Sequence, residues 1–238
     1  MQHHRTTTRT TAWLLGTALL ILAVASVANA QDPGTLTAQQ IMAKMQEFYR
    51  NTYDYQARFE QIYTDMAAGE DKKSHGRVFL KKPGKMRWDY LKKSGAKVGL
   101  NKVMVSNGKA FTVYEPEMNQ YFRKCLSDSQ LPTALSFLMG QGEMEKEFTP
   151  KLKPSKKEGT YAIEMTPKKN SGQYKKLVFI VDNDSFAVQE AHIYDPYGNR
   201  NKLLFKSPLI NKKLPDSGFD FQPPKDARNV GPANLTCK

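Results

Sequence analysis

Apolar and polar residues alternate with a period of two along most of this chain, and fall into a helical period in three short places. A period of two turns one face of a β-strand apolar and leaves the other polar. Residues 76–90 show it best: Met86, Trp88 and Tyr90 alternate with Arg87 and Asp89, which predicts a half-buried strand. Pro83-Gly84 in front of it is turn chemistry, since proline pre-sets φ at the first corner and glycine accepts a positive φ at the second. Two antiparallel strands joined at Pro83-Gly84 are therefore expected. A type II turn splays a tight hairpin, so the pattern leaves open whether Phe79 or Leu80 shares a face with Trp88.

In chain order, Thr37 to Asn51 is the clearest helix. Thr37 and Gln40 form a capping-box pair, and Ile41, Met45 and Phe48 recur at helical spacing beside Met42 and Tyr49. Tyr55, Ala57 and Phe59 then alternate with polar residues in a first strand that runs to about Tyr63. After the central hairpin, Val98 to Ser106 is a strand whose apolar phase slips between Leu100 and Val103, as a bulge near Asn101 would cause. Asn107-Gly108 is a strong hairpin signal leading to Phe111 and Val113, and Gln120 to Lys124 is the next strand. Leu131 to Phe148 breaks the alternation: Pro132 suits a first helical turn, Leu135, Leu138 and Met139 follow at helical spacing, and Gly140 and Gly142 end or bend the segment. A short helix is expected through Met144 to Phe148, and residues 150–159 read as a Lys- and Pro-rich loop. Four more strands follow at Thr160 to Met165, Tyr174 to Val181, Phe186 to Tyr194 and Asn201 to Phe205, with Phe219 to Phe221 as a possible last one. Little order is expected beyond Val230.

With about ten to eleven strands and three short helical pieces, the economical architecture is a single mainly β domain, one large antiparallel sheet curled around its helices. On spacing alone the apolar helix faces read as ordinary core. The ten methionines, flexible side chains of adaptable apolar surfaces, and the glycines that break the middle helices favour a cavity able to open.

Composition changes this picture at the ends. His3, His4, Arg5 and Arg9 form an acid-free basic start, Leu14 to Val27 is an apolar run, and Ala28-Asn29-Ala30 places small residues where a signal peptidase reads. Residues 1–30 are expected to be a cleaved signal peptide, since the apolar run is shorter than the roughly 20 residues that span a bilayer. Residues 31–238 are then an exported domain with no cysteine at its start to lipidate. The net charge of +13 is dispersed as short lysine pairs, which suits solvated loops and strand ends or a field attracting anionic membrane surfaces. Nucleic acid is not an expected partner for an exported chain with no recognition motif. Cys125 and Cys237 are the two cysteines. In an oxidising compartment they pair or remain thiols; pairing would stabilise by about 4.7 kcal/mol in the chain-entropy model and pin the tail to the middle of the sheet.

Catalysis finds no support. His75 and His192 read as surface strand residues, no Cys/His set has zinc spacing, and there is no phosphate loop or nucleophile elbow. Asp182, Asn183 and Asp184 lack the closing glutamate of a calcium loop and read as a turn. No cofactor or metal is expected.

The series of motifs resembles the outer-membrane lipoprotein carrier family (LolA type). The resemblance is carried by the Gly76 to Tyr90 hairpin, by residues 53–61 (Tyr-Asp-Tyr-Gln-Ala-Arg-Phe-Glu-Gln), by Asn107-Gly108-Lys109 with Tyr114-Glu115-Pro116 and Gln120, by residues 135–140, and by Phe219-Asp220-Phe221-Gln222-Pro223-Pro224. It implies an unclosed antiparallel β-barrel with a helical lid over an apolar cavity. It also implies a periplasmic, monomeric chaperone that takes triacylated lipoproteins from an inner-membrane lipoprotein-releasing ABC transporter and passes them to an outer-membrane lipoprotein receptor. Ile41, Met45, Phe59, Met86, Trp88, Tyr90, Leu135 and Leu138 would form cavity and lid. The family's latch arginine, which holds the lid, stands before the hairpin proline; here that residue is Lys82, which lacks a guanidinium's planar donors, and Arg87 is the alternative latch. A lipid- or lipoprotein-binding periplasmic sensor of the same fold is the rival reading, although such sensors carry a further C-terminal domain.

Overall fold

A computed structural model of the protein describes residues 1–2, 36–126, 142–170, 172–232 and 235–237. The leader expected at residues 1–30 falls almost wholly outside them. The chain divides into Met1–Thr35 and Leu36–Lys238, and every element below belongs to the second unit. None of the described helices is long and apolar enough to cross a membrane.

Helix α1 (Ala38–Arg50) begins at the capping box: the Thr37 side chain accepts from the Gln40 N–H while the Gln40 side chain accepts from the Thr37 N–H. A second helix, α2 (Met144–Glu147), is a single turn. The strands are β1 (Asp54–Asp65), β2 (Glu70–Lys81), β3 (Lys85–Ser94), β4 (Lys97–Asn107), β5 (Ala110–Glu115), β6 (Gln120–Cys125), β7 (Phe148–Lys153), β8 (Thr160–Pro167), β9 (Lys176–Asp182), β10 (Val188–Tyr194), β11 (Arg200–Ile210) and β12 (Arg228–Asn229). They form one sheet in the order β12-β6-β5-β4-β3-β2-β1-β11-β10-β9-β8-β7, whose two ends do not pair. It is an unclosed sheet.

The count is twelve rather than ten or eleven. Residues 148–153, expected as the end of a helix and the start of a loop, are the edge strand β7, where Pro150 is tolerated because an edge leaves its missing N–H uncontested. Phe219 to Phe221 is no strand; Asp216–Phe219 is a 3-10 turn. The two-residue β12 pairs in parallel with β6 instead.

Laid flat at strand spacing, twelve strands would span more than ~50 Å. Yet one buried cluster draws side chains from α1, α2 and nine of the strands, from Phe111 on β5 to Phe148 on β7. The sheet therefore curls, and α1 lies within the curl with Ile41, Met42, Met45 and Tyr49 buried.

The register answers the question the turn left open. Val78 pairs with Trp88 and Leu80 with Met86, so Leu80 shares the inner face, and Phe79 is opposite Arg87 on the outer one. The turn between Lys81 and Lys85 has three residues, with a cis Lys82-Pro83 bond in place of the expected type II corner and a positive φ at Gly84. One strand over, Tyr90 pairs with Lys102 and Leu91 with Leu100, so Asn101 is the extra residue of a bulge at the expected phase slip. Past the bulge Val103 and Val105 face outward, buried beneath Phe221 and Ala227 of the C-terminal segment. Gly76 lies between Phe59 and Tyr90 across three strands. A Cβ there would meet the Asp89 carbonyl oxygen at 1.9 Å and the Phe59 ring at 2.8 Å, so only glycine lets the aromatic row close.

Cys125 and Cys237 are bonded, with Cα atoms 5.3 Å apart. Cys125 ends β6, so the bridge and β12 together cover one edge of the sheet rather than pinning the tail to its middle.

Candidate functional site

The site is the inner face of the curled sheet and the helix lying on it. Ile41, Met45, Phe59, Met86, Trp88 and Tyr90, scattered over two strands and a helix, come together in one buried cluster. Leu135 and Leu138 lie outside the described residues. Period two puts Phe59, Trp88 and Tyr90 on one face, and the rings pack edge to face, Phe59 lying 4.8 Å from Trp88 and 5.0 Å from Tyr90. Helical spacing gives α1 the matching apolar stripe, and it packs beside β7 and β8.

Polar contacts that hold α1 in place are few and lie at its margins. Gln46 Nε2 donates to the Gly142 carbonyl at 3.0 Å and Gln46 Oε1 accepts from the Met144 N–H at 2.7 Å, joining α1 to α2. The Tyr49 hydroxyl accepts from the Val188 N–H at 3.0 Å. Lys82 Nζ donates to the carbonyls of Tyr49 and Arg50, both at 2.7 Å. These carbonyls belong to the last turn of α1, where the helix leaves its acceptors unpaired and a cation is favoured. Partial burial, and then the Arg50 charge beside it, lower the Lys82 ammonium below its usual value. Burial raises the phenols of Tyr49, Tyr55 and Tyr90, the last to about 12, so all three stay neutral.

Arg87 makes its contacts away from α1. It pairs with Phe79 on the outer face, where its Nε donates to Asp89 at 2.8 Å and a terminal nitrogen donates to the Gly218 carbonyl at 3.0 Å. The sheet stands between it and α1.

The outer face of the same hairpin is tied by residues that no short-range pattern announced. Asp54, buried, accepts from the N–H groups of Lys212, Lys213 and Leu214, fixing the chain as it leaves β11. Asp216 bridges Lys81 at 2.6 Å and Lys85 at 2.8 Å, one on each side of the turn. Hydrogen bonds from those two ammonium groups hold its carboxyl down at about 2. The hairpin tip is thus gripped outside through Lys81 and Lys85, and through Lys82 to the helix.

Among the described residues no group of three or more His, Cys, Asp and Glu is placed to hold a metal. His192 is partly buried against Glu190 rather than on the surface, and burial lowers its pKa. Asp182 Oδ1 accepts from the Ser185 N–H in a turn.

Comparison with known proteins places the chain in a family. The family model described as "Outer membrane lipoprotein carrier protein LolA" matches residues 50–222. The chain belongs to the LolA family. Two outer-membrane lipoprotein carrier proteins are among its relatives. That of Chromobacterium violaceum is 26% identical over 87% of this chain and 93% of its own length. That of Dechloromonas aromatica is 24% identical over 79% of this chain and 86% of its own. An uncharacterised conserved protein from Thermus thermophilus shares the fold, with a TM-score of 0.52 and 13% identity over 82% of this chain and 99% of the other. LolA proteins are carriers, not enzymes.

Proposed function

We propose that this protein is a periplasmic lipoprotein carrier that shields acyl chains on the inner face of its sheet. It would be exported with cleavage after Ala30 and act as a monomer. Triacylated lipoproteins released by an inner-membrane ABC transporter would be its cargo, and an outer-membrane lipoprotein receptor its destination. The observation that carries the reading is the apolar plug: in a chain of this family, one amphipathic helix, held by a few peripheral hydrogen bonds, lies on an inner face that is apolar across nine strands.

Burying one acyl methylene stabilises by about 0.8 kcal/mol, so a cavity taking even part of one chain opposes its return to the membrane. The same face in the empty protein is covered by Ile41, Met42 and Met45. Cargo therefore replaces one set of apolar contacts by another, and the difference between the two stays small enough for release. Lys82 sets the cost of lifting the end of the helix.

Native mass spectrometry tests this. The protein purified from the periplasm is mixed with membranes bearing newly made lipoproteins. One triacylated lipoprotein per monomer, released on addition of outer-membrane acceptor, is the expected result; bound free lipid and no lipoprotein would make it a lipid carrier or sensor instead.

A further inference from the structure

Among the described residues, two polar atoms in the apolar core cluster have no hydrogen-bond partner: Trp88 Nε1 and the Tyr55 hydroxyl. Both side chains are 3% exposed. Native interiors pair the large majority of such groups, and leaving one unpaired costs about 1–3 kcal/mol. Two orphans near each other call for a reason. They lie on the same inner face, Tyr55 on β1 and Trp88 on β3, and they flank one ring: Phe205 is 6.2 Å from Tyr55 and 6.3 Å from Trp88. The neighbouring inward residues are hydrocarbon, Leu80 opposite Tyr55 and Val78 opposite Trp88.

The chemistry of the two groups narrows what would satisfy them. An indole N–H only donates, so its partner is an acceptor; a neutral phenol donates as well. No lysine or arginine is buried among the described residues, and the Lys102 ammonium on the same face is engaged 4.5 Å above the Tyr90 ring, so the hydrocarbon around the two orphans favours a neutral partner over a carboxylate or phosphate. A neutral acceptor carried among alkyl chains remains, which is the carbonyl oxygen of an acyl ester or amide. Hydrocarbon alone leaves both donors orphaned.

We infer that Trp88 and Tyr55 form a polar subsite that receives the carbonyl oxygens at the root of acyl chains bound on the inner face. The subsite rests on the carrier reading and sharpens it: the protein selects acyl esters over plain hydrocarbon of the same size, and fixes how far the chains slide in. In the empty protein the orphaned donors raise the energy of the closed form, which favours exchange of the helix for cargo.

A pair of soluble lipopeptides tests this, one with two ester-linked palmitoyl chains and the other its dialkyl-ether counterpart, titrated calorimetrically into wild type, Trp88→Phe and Tyr55→Phe. Wild type is expected to bind the ester about fivefold more tightly than the ether, the worth of one or two neutral hydrogen bonds. In each variant that ratio falls toward one, whatever the change in overall affinity. Tyr55→Phe removes an orphan without changing shape and leaves the empty protein as stable or more stable, whereas Trp88→Phe also loses ring volume and melts somewhat earlier, so melting curves of both variants check that the fold is intact. A wild-type ratio near one, or a ratio that survives both substitutions, overturns the subsite while leaving the carrier reading standing. Failure of wild type to bind either lipopeptide overturns both.

Discussion

The two faces of the β2–β3 hairpin are held in different ways. Outside, every buried charge is satisfied several times: Asp54 by three backbone N–H groups and Asp89 by Arg77 and Arg87. Inside, among the described residues, the contacts are almost all apolar, two polar atoms are orphaned, and the helix is attached through Gln46, Tyr49 and Lys82. Directional bonds fix one geometry, whereas apolar contact exchanges one partner for another at little cost. Under the proposed function, the outer face keeps the sheet curled while the inner face changes its occupant.

The largest expected break falls outside. Asp54→Ala removes the buried carboxylate to which three backbone N–H groups donate and lowers stability by about 3 kcal/mol, seen as an earlier urea midpoint, while the molecules still folded keep their affinity for lipopeptide. A loss of affinity with unchanged stability would show that the two faces are not separable.

Lys82→Met tests the inner latch. It keeps the apolar stem and removes the ammonium, and global stability should fall by only about 1 kcal/mol. The amides of α1 should exchange with solvent about fivefold faster, those of β1 to β3 being unchanged. Lys82→Arg should restore protection of the helix if reaching the Tyr49 and Arg50 carbonyls is what matters.

The smallest effect is a pH dependence. The Asp216 carboxyl is held at about 2, below its usual 3.8, by Lys81 and Lys85. A depressed acid contributes stability that is present above its unfolded pKa and is lost as pH falls through its folded one. Asp216→Asn should therefore be slightly less stable than wild type above pH 4, and the two stability curves should meet as pH drops toward 2. Asp216 is exposed, so the gap is small and shrinks further in salt.

Local patterns made one of these faces readable and not the other. Thr37 with Gln40 announces α1, and the alternation of Met86, Trp88 and Tyr90 announces the inner face, because capping and strand periodicity act over a few residues. Asn101 is marked by the same alternation losing phase. Asp54 carries no such mark: its partners are 158 to 160 residues away, and nothing near Asp54 says that its carboxylate will be buried. Lys82 was singled out only through family resemblance; its ammonium meets two helix carbonyls, which ask for two donors and no planar fork. Pro150 hid β7, as a proline normally argues against a strand unless that strand is an edge. Orphaned atoms such as the Tyr55 hydroxyl emerge only once packing has closed around them.

The central claim is that α1 leaves the inner face when cargo arrives. Hydrogen exchange of the empty and lipoprotein-loaded protein, compared peptide by peptide, tests it most directly. Loading should strip protection from residues 38–50 and leave β1 to β3 as protected as before. An α1 that stays fully protected in the loaded protein would contradict the account, because the helix and the acyl chains cannot occupy the same face together.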